Sequence, residues 1–230
     1  MYNELFNIYG VEPTEDVSLI EKALTHPSYI QQNNMTFIDS YERLEFLGDS
    51  LLKLVSSEIL YKKFPDYTEG KLSKIRSFLI ADATLAEISF ELGLNKFLRL
   101  GDGEEKCGGR KRTSNNACMF EALLGAFYLL GKENEIKTFL NNVLSTKIST
   151  IIDNIEQYNA KEILQEYTQS IDKKIPQYEV VKTSGPAHAQ IFEVDVIYNE
   201  KILAHGKGTT KKAAQINAAY LACKSLGIIK

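Results

Sequence analysis

The decapeptide Tyr41–Ser50, YERLEFLGDS, carries Glu42, Glu45 and Asp49 at i, i+3 and i+7. This spacing sets the three acids along one side of a helix, with nothing basic separating them on that side. Like charges so placed destabilise an isolated helix, which invites a bound cation or a nearby Arg; a solvated acidic face is the plainer alternative. Glu121 is more confined, as the one charge among the fourteen residues Ala117–Leu130, ACMFEALLGAFYLL. A helix of that composition is largely buried, and a lone carboxylate in it must be protonated, paired or coordinating a metal. Carboxylates from two facing helices suit hard divalent cations such as Mg²⁺, which take oxygen ligands and keep several waters. A phosphodiester is the substrate that fits, because a bound metal makes its water more acidic and steadies charge on the attacking and leaving oxygens. A structural Glu121 paired with Arg43 or Arg76 stays open.

Helices must position these acids. Apolar residues at spacings of three and four predict helices over 17–25, 42–63, 69–79, 82–93, 114–130 and 133–153. Beyond Asn159 the period changes. One more amphipathic helix, 161–170, precedes alternating segments at 177–184, 190–198 and 201–205, then an alanine-rich helix over 209–225. Tyr178, Val180, Phe192, Val194 and Val196 are expected on one strand face, and Asn199–Glu200 as a turn. The expected fold is an all-α domain, residues 1–153, followed through a linker at 154–159 by a small α+β domain, 160–230, of order α-β-β-β-α.

Composition is that of a folded globular chain, with 44% hydrophobic and 25% charged residues, which excludes wholesale disorder and fibrous repeats. No apolar run approaches the roughly 20 residues that span a bilayer, and the N-terminus lacks the pattern of a cleaved secretory signal, so a cytoplasmic protein is expected. Cys107, Cys118 and Cys223 have no CxxC spacing, which argues against a disulfide framework or a thiolate zinc site. Residues 159–230 hold 10 Lys and no Arg against 7 Asp plus Glu, while the preceding residues hold 17 basic and 23 acidic ones. An acidic, cation-requiring region joined to a mildly basic, polyanion-binding one is one reading; an ordinary acidic surface is the other.

YERLEFLGDS resembles the signature of the ribonuclease III family, and ALTHPSY at 23–29, EGKLSKIRSFL at 69–79 and EALLGAFYL at 121–129 agree with it in order and spacing. The tail segments KEILQEYTQ, GPAHAQIFEVDV and GKGTTKKAAQINAA resemble the double-stranded-RNA-binding domain that follows the nuclease domain in short bacterial-type members. The resemblance implies a homodimeric, Mg²⁺-dependent endonuclease, with Mn²⁺ as a possible substitute and no organic cofactor. It would cut both strands of duplex RNA, such as ribosomal precursors, to leave 5′-phosphate and 3′-hydroxyl ends. By position, Glu45, Asp49 and Glu121 match metal-binding acids. Glu42 and Glu69 match acids that support the site or meet substrate across the dimer, and Phe46 matches an aromatic that inserts into the partner. Phe46 in ordinary core is the alternative. The tail is expected to form an antiparallel three-stranded sheet with two helices on one face.

One departure matters: three residues before the catalytic Glu the family places an Asp, and this chain has Cys118. A thiol suits Mg²⁺ poorly, and Asn115 and Asn116 lie at the wrong helical phase to replace the acid. Weaker metal binding or altered metal preference is expected. In the tail, Lys211 and Lys212 at a helix start suit RNA phosphates, while Gln165, Glu166 and His188 match minor-groove contacts that read duplex shape. Gln215 stands where many members carry a third lysine, so somewhat weaker, less salt-dependent binding is expected. The basic loop 106–112 is expected either to steer RNA or to be a plain solvated loop, and His26 to cap or pack locally. The rival to the enzyme is a duplex-RNA-binding or ribosome-associated protein on the same scaffold, weakened or inactive at Cys118. A helical adaptor without RNA affinity is a third.

Overall fold

The computed structural model describes residues 2–186 and 190–229, which form two compact units, 1–151 and 152–230. Unit 1 is helical: α1 (Asn3–Tyr9), α2 (Ser18–Ala23), α3 (Pro27–Gln32), α4 (Glu42–Lys63), α5 (Glu69–Leu79), α6 (Asp82–Glu91), α7 (Asp102–Lys106), α8 (Thr113–Leu129) and α9 (Glu133–Asp153). Helix α8 is the hub. Its apolar residues Met119, Phe120, Leu123, Leu124 and Phe127 are buried, and α2, α4 and α6 pack on it. Helices α4, α5 and α9 have the bounds their periodicity predicts, whereas α1, α3 and α7 were not predicted. These have 7, 6 and 5 residues, too few turns for an apolar repeat to emerge. Helix α1 is nonetheless part of the core: the Tyr9 ring centroid lies 4.7 Å from that of Phe127 and 4.2 Å from that of Phe139. His26 has the capping role. Its Nδ1 accepts the Ser28 N–H at 3.0 Å at the start of α3, where Pro27 has no N–H to satisfy.

Helices α4 and α8 meet backbone to backbone. A Cβ on Gly48 would overlap the Glu121 carbonyl oxygen, and one on Gly125 would overlap that of Leu44. The two glycines are thus what allows the helices to approach so closely, and both neighbour the predicted acids.

Unit 2 comprises α10 (Ile155–Tyr158), α11 (Ala160–Asp172), β1 (Gln177–Ser184), β2 (Ile191–Tyr198), β3 (Lys201–Gly208) and α12 (Lys211–Ser225). The short α10 occupies the segment expected as linker; it is a single turn, closed by the Tyr158 N–H donating to Asn154 O at 3.0 Å, and sits against α12. The sheet is antiparallel in the order β1-β2-β3. Leu164, Val194, Val196, Ala214, Ala218 and Ala222 form the core between sheet and helices. Asn199 and Glu200 both take positive φ, the geometry of a tight two-residue hairpin. A register shift between Val180 and Lys182 disturbs the middle of β1, and Val180, expected with the inward face, is 42% exposed. Gly206 on β3 lets α12 lie directly on the strand, since a Cβ there would strike the Ala218 nitrogen. No described helix is long and apolar enough to cross a membrane.

Candidate functional site

The close α4–α8 contact brings Glu45 and Asp49 into electrostatic reach of Glu121. Glu121 is partly buried rather than enclosed, because it and Cys118 lie where α8 faces the start of α4. Burial first, then the negative charges of Asp49, Glu45 and Asp82, push its carboxyl up to about 8. Burial likewise raises Glu45, opposed by a hydrogen bond from Cys118 and reinforced by Glu42. Lys53 is the opposing cation: its Nζ donates to Asp49 Oδ2 at 2.7 Å and its charge also acts on Glu121. Arg76, considered as a partner of Glu121, donates instead to Ser57 Oγ at 2.7 Å. Carboxyls raised first by burial and then by one another's charge mark a place where added positive charge is favourable, and their hard oxygen donors fit a divalent cation. Among the described residues, no group of three or more His, Cys, Asp or Glu is arranged to hold an ion as the side chains stand. Asp49 is engaged by Lys53.

Asp82 is the acid that sequence reasoning missed. It opens α6, whose Leu85, Ala86 and Ser89 are buried at i+3, i+4 and i+7 from it. The Ser89 hydroxyl donates to Asn116 O at 3.1 Å, so the same side of α6 carries Asp82 toward Cys118 and Glu121. That phase was the available signal.

Cys118 sits among these acids. Burial, with Glu45's charge beside it, pushes its thiol up to about 12, so it is neutral and donates to Glu45. Neither neighbouring asparagine supplies a substitute oxygen. Asn115 donates to Glu104 Oε1 at 2.9 Å and Asn116 to the Arg112 carbonyl at 2.9 Å. Glu42 is exposed at the first position of α4, accepting from Ser40 Oγ at 3.3 Å. Glu69 is not brought to the cluster within the chain. It lines an apolar groove with Leu54, Tyr61, Tyr67 and Leu72, and accepts from Ser73 Oγ at 2.7 Å. Phe46 is 77% exposed and lies outside the core. The basic loop is mostly structural, since Arg110 bonds Glu105 and Arg112 bonds Glu104, each at 2.6 Å.

In unit 2, Lys211 and Lys212 are exposed in the first turn of α12, where Thr210 caps the helix by accepting the Ala213 N–H at 3.1 Å. Gln165 and Glu166 are exposed on α11. His188 lies outside the described residues.

A helical unit carrying an acid cluster, followed by an α-β-β-β-α unit with lysines at a helix start, defines a nuclease fused to a duplex-RNA-binding module. The comparisons agree. Residues 16–148 match the family described as Ribonuclease-III-like, and residues 160–226 match the double-stranded RNA binding motif. Ribonuclease 3 of Streptococcus uberis is 43% identical over 213 residues, spanning 92% of both chains. That of Natranaerobius thermophilus is 40% identical over 211 residues, 92% of this chain and 91% of its own. The nuclease domain of Campylobacter jejuni ribonuclease III superposes with a TM-score of 0.58 at 33% identity, covering 64% of this chain and 97% of that domain. That structure is described as flexible in the region involved in dimer formation. The chain belongs to the ribonuclease III family. It is an endoribonuclease with a double-stranded-RNA-binding domain.

Proposed function

We propose that the chain works as a homodimer in the cytoplasm, cutting both strands of duplex RNA with Mg²⁺ to leave 5′-phosphate and 3′-hydroxyl ends, in the maturation of ribosomal and other structured RNA. The observation that carries this reading is the approach of Glu45, Asp49 and Glu121, from two helices, to within electrostatic reach of one another.

Glu45, Asp49 and Glu121 are the residues that would hold the ion, with Mn²⁺ as the alternative to Mg²⁺. When bound, such an ion supplies Lewis acidity and a more acidic water. The chain's own part is positional. Gly48 and Gly125 fix the distance between the acid-bearing helices, and Lys53 orients Asp49. Glu121, half-buried, keeps or releases its proton according to the positive charge beside it. Phe46, 77% exposed, Leu54, 62%, and Tyr61, 74%, run along one side of α4, and Leu54 and Tyr61 line the groove together with Glu69, which suits a second copy bringing Phe46 and Glu69 into the interface. Lys211 and Lys212 would meet phosphates, and Gln165, Glu166 and His188 the minor groove, reading shape with little sequence preference.

A labelled perfect RNA duplex, incubated with Mg²⁺ and with chelator, tests the proposal. Scission only with the cation, leaving 5′ ends that ligase joins and 3′ ends that polymerase extends, is expected; cutting indifferent to chelator would overturn it. Cys118 favours a second reading, a weakened nuclease that chiefly binds RNA, because a neutral thiol replaces a hard anionic ligand. Under the first reading Cys118→Asp lowers the Mg²⁺ needed for half-maximal cleavage roughly tenfold and narrows any preference for Mn²⁺. Superimposable titrations of the two proteins would show that the position is irrelevant to the metal.

A further inference from the structure

We propose that Lys161, on α11, is a third phosphate-binding cation of the duplex-RNA surface, held beside Lys212 by Gln215 and Tyr178. This rests on the reading of Lys211 and Lys212 as phosphate contacts. Lys161 Nζ donates to Gln215 Oε1 at 2.8 Å and stands 4.3 Å from the centre of the Tyr178 ring. Gln215 lies one helical turn beyond Lys211 and Lys212, so these two contacts carry a cation from one helix to the lysine-bearing end of another. The neighbouring charge that acts on Lys161 is the like charge of Lys212, not a carboxylate, and together with burial it draws the ammonium below the ordinary lysine range.

An ammonium that is half-buried beside another ammonium is held at a cost unless an anion joins them. The aromatic face and the amide oxygen offset part of that cost while leaving two of the three N–H donors of a lysine unspent. A phosphate oxygen is the ligand that satisfies those donors and both charges at once, and A-form RNA presents phosphates in closely spaced rows across its narrow major groove. The amide at Gln215 is then a positioning group. A lysine there would set a further positive charge within bonding distance of Lys161, whereas the glutamine accepts from it. The surface would thus keep three cations despite Gln215, and binding would then be tighter and more salt-dependent than Gln215 alone implies.

The test is a titration of the full chain with a duplex RNA at several salt concentrations, in chelator so that no strand is cut. Lys161→Met keeps the apolar stem over Tyr178 while removing the charge, and an unchanged thermal midpoint confirms the fold. Its affinity should fall roughly fivefold to tenfold near physiological salt, and the log–log salt slope should lose about one unit. Adding Gln215→Lys to Lys161→Met should restore both. An unchanged slope, or a loss that Gln215→Lys does not rescue, would make Lys161 a packing residue and overturn the proposal. Lys211→Ala with Lys212→Ala must itself weaken binding severely; if it does not, the phosphate-binding reading of α12 fails, and with it the basis for Lys161.

Discussion

Glu121 shows at the scale of one residue how an acid cluster stores its need for a cation. Its folded carboxyl stands at about 8 against an ordinary 4.5, so between those values the folded chain keeps a proton that the unfolded chain has released. Stability from this group is complete below the lower value and is lost as pH rises through the upper one. In chelator the thermal midpoint should therefore fall with pH across that window. Glu121→Gln should flatten the profile, and a midpoint that rises instead would show that the carboxyl is not raised. Asp82 adds to the same field from α6 without being among the acids read from the decapeptide. Asp82→Asn should weaken cation binding by a factor of several, the equivalent of about 1 kcal/mol, while leaving the fold intact. Mn²⁺ binding measured without RNA, by the loss of its free spin-resonance signal, checks this; unaltered uptake would remove Asp82 from the site.

At the scale of elements, the site depends on two glycines more than on any helix propensity. Gly48 precedes Asp49 and its α-carbon faces the backbone of Glu121 itself, so any added carbon must push α4 and α8 apart. Gly48→Ala should cost at least about 3 kcal/mol, read as a shift of the urea midpoint, and should abolish cleavage even in the fraction that remains folded. A substitution tolerated in both measurements would mean that the helix spacing does not set the acid geometry. The decapeptide shows the acids' phase but not why a glycine sits between Leu47 and Asp49, because the reason lies on α8, more than seventy residues away in the chain.

At the scale of the whole molecule, the exposed stripe Phe46–Leu54–Tyr61 is the feature a single copy leaves unsettled. Since Phe46 is outside the core, Phe46→Ala should leave the stability of an isolated chain within about 0.5 kcal/mol while shifting the proposed dimer toward monomer. Sedimentation across a concentration series, with cleavage followed in parallel, checks this. An unchanged dimer would locate the interface elsewhere.

Much of this was legible in one dimension. The long helices α4, α5 and α9, the change of period beyond residue 159, and the acids at i, i+3 and i+7 follow from local rules that each segment obeys alone. The family motifs carried the rest of the identification. What the sequence could not determine are pairings between distant segments. Asp82 joins Glu121 only because α6 packs on α8, α1 enters the core only because Leu5, Phe6 and Tyr9 meet residues far along the chain such as Phe127, and Lys161 meets Gln215 only where α11 packs on α12. Side-chain type and spacing fix which face a residue shares with its neighbours in the chain. Which charges then lie close enough to shift one another is decided by packing, because electrostatic energy falls with distance in space and takes no account of separation in sequence.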